Sequence, residues 1–244
     1  MSRCLGDTGD FEDAALFGCD GVATMPNIKF DRLDAASGHS KTACFEIEAR
    51  VPSDTPFVTL GSIRRQEEEA LERIIQAVMG AHKNSVIALF PRHQHRILHW
   101  QAILNRSQIR WFLRSSIKAP IPRGSIILWD TFGELSQAYR LSTAAFVGGS
   151  LAPLGGQNFL EALVSGIIPV IGPSWENFAW VGTGILTSGL LKVAGDWKEV
   201  ADLIIKDIDN PASRQKVVEH AGRYLKDRQG GTEMACRQII EMLE

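Results

Sequence analysis

No apolar run in this 244-residue sequence approaches the roughly 20 residues that a membrane-spanning helix needs, so a bilayer-crossing role is not expected. Cysteine is sparse. Cys4, Cys19, Cys44 and Cys236 stand far apart, with no C-x-x-C pair and no histidine at ligand spacing. That argues against a metal site and for reduced thiols. An excess of charge of one sign is also missing: 26 basic residues face 28 acidic ones, for a net charge of -2. Without a basic stripe, nucleic acid is excluded as the expected partner. Internal repeats and low-complexity tracts are absent. The opening run MSRCLGDTGDFEDAALFG is too acidic and polar for a signal peptide. A cytoplasmic location is therefore expected, with peripheral membrane attachment left open.

What the sequence does have, from Phe57 onward, is a strict alternation of strand and helix signals. FVTLGS reads as a strand and is followed by a helix over about Arg65–Ala81. In that helix Leu71, Ile74, Ile75 and Val78 share one face, and Glu67, Glu68 and Glu69 favour the first turn. SVIALF, SIILWD, AAFVGG and IIPVIG are further short, continuously apolar strands, as expected for parallel strands buried on both faces. PRHQHRILHWQAIL opens a second helix, and further helices span Glu134–Leu141, Trp197–Ile208, Ala212–Arg228 and Thr232–Leu243. Such alternation predicts right-handed βαβ units and a doubly wound α/β fold with a parallel sheet. Residues 1–54 read as a lead-in segment, with ASGHSK and PSDTP as loops, and residues 55–244 as the domain proper.

The run Ala144–Phe178 carries the densest signal. Gly148, Gly149, Gly155, Gly156 and Gly172 fall where strands give way to loops, and a helix is expected from about Asn158. Glycine lets a ligand approach the backbone, and a helix N-terminus suits a phosphate. The expectation is an anion or nucleotide pocket at the carboxyl edge of the sheet. Asn158 and Glu161 read either as a capping box or as ligand contacts, with Glu161 accepting from ribose hydroxyls. Arg92, just past a strand end, is placed to pair with a phosphate or carboxylate, and His93, His95 and His99 crowd the same region without a ligand-type carboxylate. Gly61 and Ser62 end the first strand, while Asp130, Gly133 and Glu134 bracket a helix start where capping and ligand contact are equally open. Glu176 and Asn177 begin the helix after IIPVIGP, at the same edge.

Six runs in order carry a family resemblance: PNIKFD (Pro26–Asp31), TLGSIRRQEEE (Thr59–Glu69), PRH (Pro91–His93), DTFGEL (Asp130–Leu135), FVGGSLAPLGGQNFLEA (Phe146–Ala162) and PVIGPSWENF (Pro169–Phe178). Over about 150 residues they resemble the 3-deoxy-D-manno-octulosonic acid (Kdo) transferases of lipopolysaccharide synthesis. The resemblance implies a Rossmann-like domain, the C-terminal domain of a GT-B glycosyltransferase. It also implies CMP-Kdo as donor, lipid A precursor as acceptor, no metal or other cofactor, and work at the cytoplasmic face of the inner membrane. On it, Arg92 is a phosphate or donor contact and Asn158 and Glu161 are the nucleotide pair. Gly148, Gly149, Ser150, Gly155 and Gly156 then form the loop that the donor approaches.

The chain departs from the family pattern in two places. Leu154, Gln157 and Phe159 stand where an arginine, a histidine and a proline are usual, and Ile63, Arg64 and Arg65 replace threonine, histidine and an acidic residue. These changes bear on donor choice and affinity and leave the fold unaffected. Only about 25 residues precede PNIKFD, where family members carry an acceptor domain with the catalytic carboxylate. The resemblance therefore implies the donor-binding half, inactive alone, with self-association through an apolar face of the last helices. Two other readings stay open: a sugar-nucleotide enzyme with another nucleotide, and a catalytically dead binding module.

Overall fold

The computed structural model describes residues 4–5, 23–33 and 46–243. The loop expected at residues 36–41 and most of the opening run lie outside the described residues. Seven parallel strands form the central sheet: β1 (Phe57–Ile63), β2 (Val86–Pro91), β3 (Arg110–Leu113), β4 (Ser125–Leu128), β5 (Ala144–Val147), β6 (Val170–Ile171) and β7 (Lys192–Val193). Their spatial order is β3-β4-β2-β1-β5-β6-β7. The chain moves from β1 to β2 on one side and later returns to place β5 on the other. This reversal is the topological switch point of a doubly wound sheet.

Helices cover both faces, which is why the inner strands are apolar on both sides. On one face Val58, Leu60, Ile87 and Leu89 pack beneath α1 (Glu68–Ala81), α2 (Ile97–Arg106) and α6 (Trp197–Asp209). The opposite residues of the same strands, with Ala145 and Val147, pack beneath α3 (Leu135–Leu141), α4 (Leu160–Val164) and α7 (Arg214–Lys226). Each fully buried Leu or Ile contributes about 1.5–3 kcal/mol relative to exposure. The expected helical face Leu71, Ile74, Ile75 and Val78 is buried, as periodicity predicts. β3 and β7 were not foreseen. β3 is a half-exposed edge strand with only three apolar residues after Arg110, and β7 has only two residues, so neither stands out as a buried strand. The helix expected from Asn158 begins at Leu160 and is only five residues long.

A half-buried arginine closes the second face. The Arg214 guanidinium donates to the Ser142 carbonyl at 2.7 Å and to those of Tyr139 and Ser165, so it satisfies the orphan carbonyls that end α3 and α4.

The PNIKFD segment is clamped to the end of the chain. Phe30 is buried edge-on against Trp180 at 4.9 Å, and Gln229 Nε2 donates to the Phe30 carbonyl. The Asp31 carboxylate accepts N–H bonds from Gly230 at 2.7 Å and Thr232 at 2.6 Å, capping α8 (Gly231–Leu243) from 199 and 201 positions away. Hydrogen bonds from the Thr232 hydroxyl and backbone, then from Gly230, hold the Asp31 carboxyl below the usual carboxylate range. A group with a depressed folded value stabilises the fold above its unfolded value of about 3.9, and that contribution is lost as pH falls through the folded value. Amide protection at Gly230 and Thr232 should therefore drop selectively on acidification below that range. In Asp31→Asn protection should be low throughout and lack this pH step.

Candidate functional site

The switch point places the ends of β1 and β5 side by side, with the Gly148 N–H donating to the Gly61 carbonyl at 2.8 Å. A side chain at Gly61 would put its Cβ 2.2 Å from the Tyr139 hydroxyl, so only glycine lets Tyr139 pack against β1. Ser62 follows with φ of 57°, a left-handed turn at the register shift between β1 and β2, after which β1 pairs once more, Ile63 with Pro91.

That turn delivers Glu67 into the glycine loop. Its carboxylate is 1% exposed and accepts four backbone N–H groups: Arg64 at 3.2 Å, Gly149 at 2.6 Å, and Ser150 and Leu151 each at 2.8 Å. Sequence reasoning assigned Glu67 only to a helical first turn. The nest of N–H groups expected to face a ligand at Gly149 and Ser150 is thus filled by an internal anion. Gly148 leaves room for this approach, since a Cβ there would lie 3.0 Å from Glu67 Oε2.

The rest of the loop is pinned from the far side. The Ser150 hydroxyl donates to the Val147 carbonyl and accepts from the Gly172 N–H. Gly155 donates to Ser174 Oγ at 2.8 Å, which donates to Glu176 at 2.9 Å, and Asn177 bonds the Gly155 and Leu154 carbonyls. Gly155 and Gly156 have φ of 79° and 81°, the left-handed region that glycine tolerates. Glu176 and Asn177, expected at the ligand edge, therefore brace the loop.

The acidic candidates after β4 are also engaged inside the protein. Both Asp130 oxygens accept from Ser115. Glu134 accepts from Arg114 Nε at 2.9 Å and Nη2 at 3.1 Å, from the Trp129 indole at 2.8 Å and from the Thr131 hydroxyl at 2.9 Å. Asn158 and Glu161 do form a pair, but through their side chains: Asn158 Nδ2 donates to Glu161 Oε1 at 2.9 Å, while Asn158 Oδ1 accepts the Leu160 N–H. No reciprocal capping box is formed. Burial raises the Glu161 carboxyl above its ordinary range, opposed by the Asn158 bond and by Arg92. Beside it the Tyr139 hydroxyl is fully buried without a partner among the described residues, and burial followed by the Glu161 charge pushes its pKa up.

Cations remain at the open edge. Arg92 is exposed, its backbone N–H fixed to the Ile63 carbonyl at 2.8 Å. The imidazoles of His93 and His95 stack at 5.5 Å, and desolvation, then Arg64, His95 and Arg92, lower the His93 pKa. Arg64, a departure from the family pattern, thus joins Arg92 and the His93–His95 pair. His99 instead meets Glu68 at 3.2 Å, as does Arg96. Ser62, Arg92, Gly133 and Glu134 line one cleft of about 120 Å³, floored by Phe90 and Trp129 stacked at 4.4 Å. The arrangement suits a polyanionic ligand with a flat apolar part.

Comparison with known proteins bears on the family and the fold. No protein-family model matches the chain. A 3-deoxy-D-manno-octulosonic acid transferase of Bordetella pertussis is 32% identical over 193 residues, covering 78% of this chain and 44% of the relative. The chain thus spans about half the length of the curated relatives it matches. The crystal structure of the C-terminal CMP-Kdo binding domain of WaaA from Acinetobacter baumannii superposes with a TM-score of 0.67 at 25% identity, over 75% of this chain and 95% of that one. Spinosyn rhamnosyltransferase SpnG shares the fold alone, with a TM-score of 0.50 at 12% identity over 90% of this chain and 52% of its own. The sheet is that of a GT-B glycosyltransferase domain. The chain belongs to the 3-deoxy-D-manno-octulosonic acid transferase family, in the part corresponding to its members' C-terminal domain.

Proposed function

We propose that this chain binds CMP-Kdo at the switch-point crevice and is the donor half of a transferase that glycosylates a lipid A precursor. The observation that carries the reading is the charge arrangement. Glu67 and Glu134 are turned inward onto N–H groups and Arg114, whereas the permanently charged Arg64 and Arg92 edge the opening, with the His93–His95 pair beside them. CMP-Kdo carries a phosphate and a carboxylate, two anions that such an edge complements. Glu161, protonated more readily than a free carboxyl, is placed to accept or donate at a ribose hydroxyl.

In the transfer, an acceptor hydroxyl attacks the anomeric carbon, the bond to CMP breaks, and negative charge grows on the departing phosphate. Arg92 stabilises that charge from a fixed position. No side chain of the crevice is assigned as the base that takes the hydroxyl proton. The reading gives that task to an acceptor half, without which the chain is inactive. The acceptor and attachment at the cytoplasmic face of the inner membrane belong to the same reading. No helix among the described residues is long and apolar enough to cross a membrane. Self-association is assigned to the end of α8, where Ile239, Ile240, Met242 and Leu243 are exposed.

An NMR titration with CMP, UMP and ADP tests the donor assignment, since it detects binding at the millimolar level, about 4 kcal/mol. CMP should shift amides near Arg92 and Asn158–Glu161 selectively. Arg92→Ala should weaken CMP binding more than tenfold, because a charge-assisted hydrogen bond contributes about 1.5–3 kcal/mol. Preference for UMP or ADP would assign a different sugar nucleotide. A folded chain that responds to none would overturn the reading.

A further inference from the structure

Phe132 is the one aromatic among the large hydrophobic residues left exposed in the described chain, at 79%. It stands at the lip of the cleft between β2 and the start of α3, over the Phe90–Trp129 floor. A solitary exposed apolar side chain needs no explanation by itself. What singles out Phe132 is how rigidly it is displayed. Thr131, its neighbour on one side, donates to Glu134 at 2.9 Å, and Glu134 is locked by Arg114 and the Trp129 indole. Gly133, its neighbour on the other side, has φ of 79° with nothing within 4 Å of where a Cβ would be. A braced turn thus holds a bare ring beside empty space in a cleft that also contains Arg92.

We infer that Phe132 is the stacking platform for the nucleobase of the bound nucleotide, an affinity-determining contact; the inference rests on the donor reading above. The phosphate is held by Arg92 at one end of the cleft, and the flat base lies against the Phe132 ring at the other. A phenyl ring recognises any base through its π face, so Phe132 contributes affinity for a nucleotide over a bare sugar phosphate, whichever base is attached.

The test is a titration of three chains, wild type, Phe132→Ala and Phe132→Trp, with two ligands, CMP and ribose 5-phosphate. Phe132→Ala should weaken CMP binding about tenfold, the usual effect of removing one base–aromatic stack. Ribose 5-phosphate, which has no base, should bind Phe132→Ala as it binds wild type. Phe132→Trp should restore CMP binding and show indole fluorescence quenching on titration. Because Phe132 is exposed, its replacement leaves the core intact. Unchanged CMP affinity in Phe132→Ala, or an equal loss for both ligands, overturns the stacking role while the donor reading stands. A wild-type chain that takes up no CMP overturns the donor reading, and the stacking role with it.

Discussion

Glu67→Ala should lower the stability of the domain by about 4 kcal/mol, since buried N–H groups left without an acceptor cost about 1–3 kcal/mol each and the costs do not add fully. In a domain of this size that is a fall in Tm of roughly 10 °C, at about 2–4 °C per kcal/mol. The size follows from how completely the carboxylate is enclosed: four backbone N–H groups converge on two oxygens, and three of them come from the loop after β5. Glu67→Gln preserves the shape but turns an amide NH2 toward donors, so an intermediate loss of about 2 kcal/mol is expected. The two variants also separate stability from site geometry. If Glu67 sets the loop conformation, the amide resonances of Gly149, Ser150 and Leu151 should move in Glu67→Gln even where the domain is fully folded. A Glu67→Gln protein as stable as wild type would remove the carboxylate from this role.

Glu134→Ala should cost about 3–5 kcal/mol in urea unfolding, because it leaves the buried Arg114 guanidinium without its anion. Arg114 is only 9% exposed and makes both of its charged contacts with Glu134. The double replacement Arg114→Met with Glu134→Leu should be milder than the single one, since an apolar pair of similar volume avoids an uncompensated charge. If the single variant is the milder of the two, the pair does not stabilise the turn after β4. The distinction matters for the cleft, whose wall at Thr131–Gly133 is held by the same carboxylate.

The fold was legible wherever burial left a pattern of its own. SIIL and AAFV are buried at every position and so read as continuous apolar strands, and α1 shows its face at spacings of three and four. RWFL was not legible, because an edge strand is half wet and its Arg110 is exposed. The site divides along a different line. The position of Arg92, exposed just past β2, could be read from the sequence, since it depends only on local order. Glu67 could not, because its partners lie 82 to 84 positions further along and appear as ordinary glycine-loop residues. Asp130, Glu134 and Glu176 look like ligand groups for the same reason. A carboxylate at a loop reads alike whether it meets solvent, a nucleotide, or an arginine brought in from elsewhere. The side chains of Asn158 and Glu161 do pair, but the short α4 starts one residue later than the capping pattern suggests.

The clamp between Asp31 and the start of α8 also has a consequence in time. Phe30 and Asp31 are synthesised about 200 residues before their partners at Gln229, Gly230 and Thr232. At 5–20 residues per second, that is a wait of about 10–40 s before the clamp can close, with Trp180, the ring that Phe30 packs against, made partway through it. The sheet and its helices can assemble in that interval, so the docking of Phe30 and Asp31 onto α8 follows the assembly of the sheet, and any chaperone that shields Phe30 needs to hold it only until the ribosome reaches α8.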